Sequence, residues 1–295
     1  MYKTMLVPLD GSKAAESALP YAEEIAAKLN AEIILISVSE SATADAEHPF
    51  QTYLERIMER VQHEIKDWYA KKDVRVKSKV LLGKPADQIL RYADENNVGL
   101  IAMASRGSSG QGPWLLGSVA AKVLRATVRP VLLIRAQASE LSLQQKRLLK
   151  RILVPLDGSK LGEAAIPGTE ALARALGAEL VLLQVVEPAT TWGTYEGYPS
   201  YPPPADVESR KASAKAYLDG VGKPLEEKGL NTSSVLEYGL PARQIIDYAK
   251  ANGVDLIAMS THGRSGIALW VFGSVTDKIL HAGDTAVLIV RASKV

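Results

Sequence analysis

The chain contains no cysteine, which removes disulfides, thiolate nucleophiles and cysteine-ligated zinc from consideration and fits a reducing compartment. It has no excess of one charge either. The 35 Lys and Arg stand against 33 Asp and Glu, a formal charge of +2, so nothing implies a surface for a polyanion and nucleic acid is not an expected partner. The start Met1-Tyr2-Lys3-Thr4 is not a basic leader before a long apolar stretch, and the later apolar runs are short. Neither export nor membrane insertion is expected, and a cytoplasmic protein is. The phosphate loop G-x-x-x-x-G-K-[ST], the dinucleotide fingerprint G-x-G-x-x-G and the zinc motif H-E-x-x-H are all missing. His48, His63 and His281 show no metal-ligand spacing and read as surface or packing residues.

What the chain does have is a repeat. Val7-Pro8-Leu9-Asp10-Gly11-Ser12-Lys13 returns as Val154-Pro155-Leu156-Asp157-Gly158-Ser159-Lys160. Gly83-Lys84-Pro85-Ala86 is answered by Gly239-Leu240-Pro241-Ala242, and Gly117-Ser118-Val119 by Gly273-Ser274-Val275. With 295 residues, 47 % of them hydrophobic, the chain suits two globular domains of about 150 residues. The expected division is 1–136 and 150–295, joined by 137–149, where Leu141, Leu143 and Leu148 suggest a partly helical segment packed on a domain. The second copy is longer, and its extra residues fall in Pro188–Ala205, whose Pro199, Pro202, Pro203 and Pro204 oppose a regular helix or central strand. That segment reads as a surface loop.

Each copy alternates short apolar runs with helical patterns, the signature of β-α units and a parallel sheet. Strands are expected at 3–9, 31–38, 75–81, 98–104 and 130–135, and again at 151–156, 178–186, 232–238, 254–260 and 285–290. Helices are expected over 12–29 and 159–176, and over 86–96 and 242–252 behind Pro85 and Pro241. In such a sheet the carboxyl ends of strands one and four approach the same edge, where open α/β sheets bind ligands.

That edge carries the candidate chemistry. Strand four of copy one ends Met103-Ala104-Ser105-Arg106-Gly107, and Gly117-Ser118 follows after nine residues. Copy two reads Met259-Ser260-Thr261-His262-Gly263 with Gly273-Ser274 at the same spacing. A strand, a glycine loop and a helix amino terminus together form an anion site, because exposed amides and the helix dipole face the negative group. Ser118 and Ser274 offer a hydroxyl and an amide, or simply cap their helices. Asp10 and Asp157 fit either a ribose hydroxyl or the cap of the Asp-Gly-Ser turn. Trp114 and Trp270 read as loop anchors before ligand stackers.

The order V-P-L-D-G-S, G-x-P-A and G-(nine)-G-S in both halves resembles the universal stress protein family, in particular its tandem two-domain members. The resemblance implies an α/β fold of two tandem, doubly wound, five-stranded parallel-sheet domains, strand order 3-2-1-4-5, paired through strand 5. In one subgroup it implies a site for ATP or a related adenine nucleotide, with Mg as an accompanying ion. By position, Asp10 and Asp157 would contact the ribose, and Val38 and Val185 the adenine, beside Met103 and Met259. Gly107, Gly117 and Ser118, or Gly263, Gly273 and Ser274, would hold phosphates, with Arg264 as an added partner that makes copy two the favoured site. Ala104 and Ser260 replace the first glycine of the subgroup motif, a change that matters only if the backbone needs positive φ or the ligand lies against it. The implied role is a nucleotide-responsive regulator of stress, a homodimer with a regulatory protein partner and at most slow ATP hydrolysis. A protein-interaction scaffold of the same fold, binding no nucleotide, is the alternative. Pro188–Ala205 is expected beside the second site as a cover.

Overall fold

The computed structural model describes residues 1–41, 44–69, 73–107, 116–135, 147–187, 194–195, 198–199, 204–261 and 272–292. The first half runs β1 (Thr4–Pro8), α1 (Lys13–Glu16), α2 (Leu19–Leu29), β2 (Glu32–Ser39), α3 (Ala44–Trp68), β3 (Val76–Leu82), α4 (Pro85–Glu95), β4 (Leu100–Ala104), α5 (Ser118–Ala126) and β5 (Val131–Ile134). The second half repeats it with β6 (Arg151–Leu156), a 3-10 turn (Gly162–Ala165), α6 (Ile166–Leu176) and β7 (Glu179–Val186). After the short β8 (Thr194–Tyr195) and β9 (Tyr198–Pro199) come α7 (Pro204–Glu227), β10 (Thr232–Tyr238), α8 (Pro241–Ala251), β11 (Leu256–Ser260), α9 (Ser274–Ala282) and β12 (Ala286–Val290).

All the long strands join one ten-stranded sheet in the order β10-β7-β6-β11-β12-β5-β4-β1-β2-β3. Each half therefore has the order 3-2-1-4-5. Pairing is parallel within each half and antiparallel at the seam, where Val131, Leu132 and Leu133 face Ile289, Leu288 and Val287. Fusing the two fifth strands removes two exposed sheet edges. The inner strands are rich in Ile, Leu and Val because both faces are covered, whereas the edge strands β3 and β10 are more polar and partly exposed. One face packs Leu35, Leu132, Val154 and Leu288 beneath α2, α3, α6 and α7; the other packs Ile36, Leu133, Leu183 and Val287 beneath α4, α5, α8 and α9. Both cores run across the seam, so hydrophobic burial itself joins the halves.

Three local readings change. The helix expected over 12–29 is two pieces. Ser12 caps α1, its hydroxyl accepting the Ala15 amide at 3.1 Å. The chain then tightens, with Ser17 N–H donating to Ala14 O and Ala18 N–H to Ala15 O at 3.3 Å, before Pro20 opens α2. The counterpart in 159–176 breaks into the 3-10 turn and α6 at Pro167, because proline supplies no amide for a continuing helix. Second, Leu148 and Leu149 are buried without being helical, their amides donating to Glu24 Oε2 at 2.9 and 3.1 Å; Leu141 and Leu143 lie outside the described residues. Third, Pro188–Ala205 is not loop throughout. It contains the antiparallel β8–β9 pair, and Pro204 opens α7, a first-turn position where the missing amide costs little. Of the proposed cover over the second site, residues 188–193, 196–197 and 200–203 lie outside the described ones.

Candidate functional site

Two cavities open at the carboxyl edge of the sheet, one per half, at equivalent places in the repeat. In the first, β1 contributes Pro8 and the following Asp10, β2 contributes Val38 and Glu40 follows it, and β4 contributes Met103 and Ala104. Arg106, Gly107 and Gly117 follow from the loop, and Ser118 to Ala120 from the first turn of α5. The second is lined by Asp157, Val185, Met259, Ser260, Gly273 and Ser274 in the same roles. The first cavity measures about 530 Å³ and the second about 250 Å³. Small-molecule sites span roughly 300–1,000 Å³. The first half alone reaches that range.

The two aspartates hold the turn after strand one. Asp10 Oδ1 accepts the Ser12 amide at 3.0 Å and the Ser12 hydroxyl at 2.5 Å. Asp157 Oδ1 does the same for Ser159 at 3.0 and 2.6 Å. The intervening Gly11 and Gly158 take φ of +84° and +82°, the left-handed conformation in which glycine is favoured. Gly107 is required for closeness: a β-carbon there would overlap the other carboxylate oxygen of Asp10. The glycine loop and the strand-one aspartate are thus in direct apposition.

Ser118 and Ser274 are not helix caps. The N-cap residues are Gly117 and Gly273, neither supplying a side-chain cap bond, and each serine is the first helical residue. The first amides of an α-helix have no intrahelical partner, and here the first-turn residues Ser118, Val119 and Ala120, or Ser274, Val275 and Thr276, line the cavity. The caps are anchored from below, Gly117 N–H donating to Ser105 O at 2.8 Å and Gly273 N–H to Thr261 O at 3.0 Å. Their φ values of −61° and −58° are open to any residue. The backbone at Gly117 and Gly273 is thus compatible with a side chain. Ala104 and Ser260, in place of the motif glycine, are strand residues that need no positive φ.

Sequence reasoning brought together Asp10, Val38, Met103, Gly107, Gly117 and Ser118, and likewise Asp157, Val185, Met259, Gly273 and Ser274. Gly263 and Arg264, with His262, Trp114 and Trp270, lie outside the described residues. It missed Glu40 and Glu187, which line the two cavities two residues beyond the valines and whose matching positions in the repeat were a usable signal. Phe50 of α3, on the wall of the first cavity, has no such signal. Among the described residues no group of three His, Cys, Asp or Glu could hold a metal, and no helix is long and apolar enough to cross a membrane.

The family profile described as "Universal stress protein family" matches residues 1–135 and 149–291. The chain is 32 % identical over 148 residues to universal stress protein YxiE of Bacillus subtilis, covering 49 % of this chain and 100 % of that protein. It is 25 % identical over 226 residues to a universal stress protein of Mycobacterium tuberculosis, covering 76 % of this chain and 72 % of the relative. A universal stress protein structure from Archaeoglobus fulgidus superposes with a TM-score of 0.71 at 21 % identity, covering 99 % of this chain and 100 % of that one, a likeness of fold. With the duplicated fold, the repeated landmarks and a profile spanning both halves, this chain belongs to the universal stress protein family as a tandem two-domain member.

Proposed function

We propose that the protein is a nucleotide-responsive stress regulator that binds ATP or a related adenine nucleotide at the carboxyl edge of its sheet. The observation that carries this reading is the meeting of an uncapped helix amino terminus, at Gly117 and Ser118, with a cavity of about 530 Å³ floored by Met103 and Val38. Phosphates would sit on the first-turn amides and the Ser118 hydroxyl, and the base against the apolar wall. The second half would use Asp157, Val185, Met259, Gly273 and Ser274, with Gly263 and Arg264 completing its phosphate loop.

The described geometry favours the first half over the second. Its cavity is the larger, and Arg106 is among the residues that line it, a residue type suited to phosphate. Asp10 lines the same cavity and would stand beside the sugar. Any Mg would come with the phosphates, since Mg²⁺ typically binds through one or two carboxylates together with substrate phosphates. Hydrolysis would be slow at most, and homodimer formation and a regulatory protein partner belong to the same reading.

Calorimetric titration of nucleotide-free protein with ATP, with and without Mg, tests it. Saturable binding weakened by Arg106→Gln is the expected result. No saturable binding under either condition overturns the reading and favours the interaction scaffold.

A further inference from the structure

The two helices that begin at the candidate phosphate sites are each tied, at their far ends, to the opposite half of the molecule. Arg135 immediately follows β5, and Arg291 immediately follows β12. They stand at the same place in the repeat, in Val131-Leu132-Leu133-Ile134-Arg135-Ala136 and Val287-Leu288-Ile289-Val290-Arg291-Ala292. The antiparallel seam exchanges them. Arg135 crosses into the second half, where its guanidinium donates to Leu280 O at 2.8 Å and Ile279 O at 2.9 Å, in the last turn of α9, while its Nε reaches Thr285 O at 3.4 Å. Arg291 crosses the other way and donates to Thr127 O at 3.0 Å, the carbonyl of the residue that caps α5.

The last carbonyls of a helix lack intrahelical donors, and a cation there complements the negative end of the dipole. The forked guanidinium also fixes direction, because it bonds two successive carbonyls at once. Gly283 keeps the Ile279 carbonyl clear: a β-carbon there would stand 3.2 Å from Ile279 O, while Arg135 Nη2 at 3.9 Å would be in ordinary contact. Arg135 is electrostatically within reach of the first cavity as well. Burial lowers its guanidinium to about 10, Asp284 opposing and Arg106 adding to the fall. It nevertheless remains charged at neutral pH.

We infer that Arg135 and Arg291 are positioning residues that build each half's anion-facing helix from the other half, so that each candidate nucleotide site depends on a residue of the opposite half. The stronger tie is Arg135 onto α9, which bonds the helix itself. The consequence for ligand rests on the nucleotide reading above; the positioning does not.

Met103 and Met259 line the two cavities, so methionine methyl resonances read each site separately. Arg135→Lys is the informative variant, because it keeps the charge near Arg106 and loses the fork. In an ATP titration of full-length protein, Arg135→Lys should raise the midpoint of the Met259 shift by about fivefold or more, a modest allosteric coupling, and leave that of Met103 within about twofold. Arg291→Lys should move Met103 and spare Met259. Equal shifts at both methyls, or none in a protein that binds ATP, overturn the inference. If wild type shows no ATP-dependent shift at all, the nucleotide reading fails and hydrogen exchange decides the positioning. The α9 amides of ligand-free Arg135→Gln should then exchange faster than wild type while α5 stays protected. Unchanged α9 exchange, or loss of protection in both helices, overturns the inference.

Discussion

Gly168 offers a test of how the halves are locked together. It lies in the first turn of α6, and a β-carbon there would overlap the hydroxyl of Tyr2, which enters from the amino terminus of the other half. Tyr2 is 1 % exposed and its hydroxyl has no hydrogen-bond partner among the described residues. Gly168→Ala adds helix propensity of at most about 1 kcal/mol. The overlap opposes it, since forcing a methyl into a packed core costs about 1–3 kcal/mol. The net expectation is a loss of about 0.5–2 kcal/mol. Tyr2→Phe removes both the obstacle and an unsatisfied buried oxygen, whose burial costs about 1–3 kcal/mol. What remains near the added carbon is the ring carbon at 3.3 Å and Met1 Sδ at 3.5 Å. In the Tyr2→Phe background the same Gly168→Ala change should therefore be nearly neutral. Urea denaturation of wild type, both single variants and the double variant, followed by circular dichroism and by fluorescence, measures the coupling. A loss from Gly168→Ala that is the same in both backgrounds refutes the packing.

Other expectations follow from the same geometry. Glu23 is 1 % exposed, and burial, reinforced by the charge of Glu64 and opposed by Arg60, holds its carboxyl well above 4.5. A raised carboxylate pKa means stability present at low pH and lost as pH rises above 4.5 toward the folded value. Glu23→Gln should accordingly match wild type near pH 4 and exceed it increasingly toward neutrality; a pH-independent difference in unfolding free energy contradicts this. Asp157→Ala removes the acceptor of both Ser159 bonds and should cost about 1 kcal/mol by denaturant titration, while Asp157→Asn keeps an acceptor oxygen and loses less. Equal losses would deny the turn role. Gly117→Ala should cost about 1 kcal/mol, because its φ of −61° suits alanine while the new β-carbon would stand 3.3 Å from Ser105 O. Gly107→Val should cost more, since it drives into Asp10; the reverse order in thermal melts would be wrong for this site.

The inner strand positions were legible because both faces of those strands are buried, so apolar runs such as Ile33 to Ile36 are continuous, and the duplication presents every run twice; the edge strands β3 and β10 are half-exposed and more polar. Strand order came from the resemblance, as apolar runs carry no information on which neighbour they meet. The breaks at Pro20 and Pro167 were visible residues whose effect was underestimated, since the apolar stripe continues through them. Ser118 was read with a capping alternative that its position excludes: Gly117 occupies the cap, and only the backbone dihedrals reveal the one-residue difference. Arg135 and Arg291 look like ordinary residues after a strand. Their reach into opposite halves depends on the antiparallel seam, a long-range fact that the local sequence does not encode.

The nucleotide reading is tested most directly by a methionine-methyl spectrum of nucleotide-free protein titrated with ATP and Mg. Met103 and Met259 line the cavities, whereas Met5 is buried in β1 and Met58 packs from α3 against the sheet's other core. The account predicts a saturable shift of Met103, with Met259 following at equal or higher ATP and with Met5 and Met58 stationary. No shift at Met103 or Met259, or equal movement of all four resonances, would contradict it.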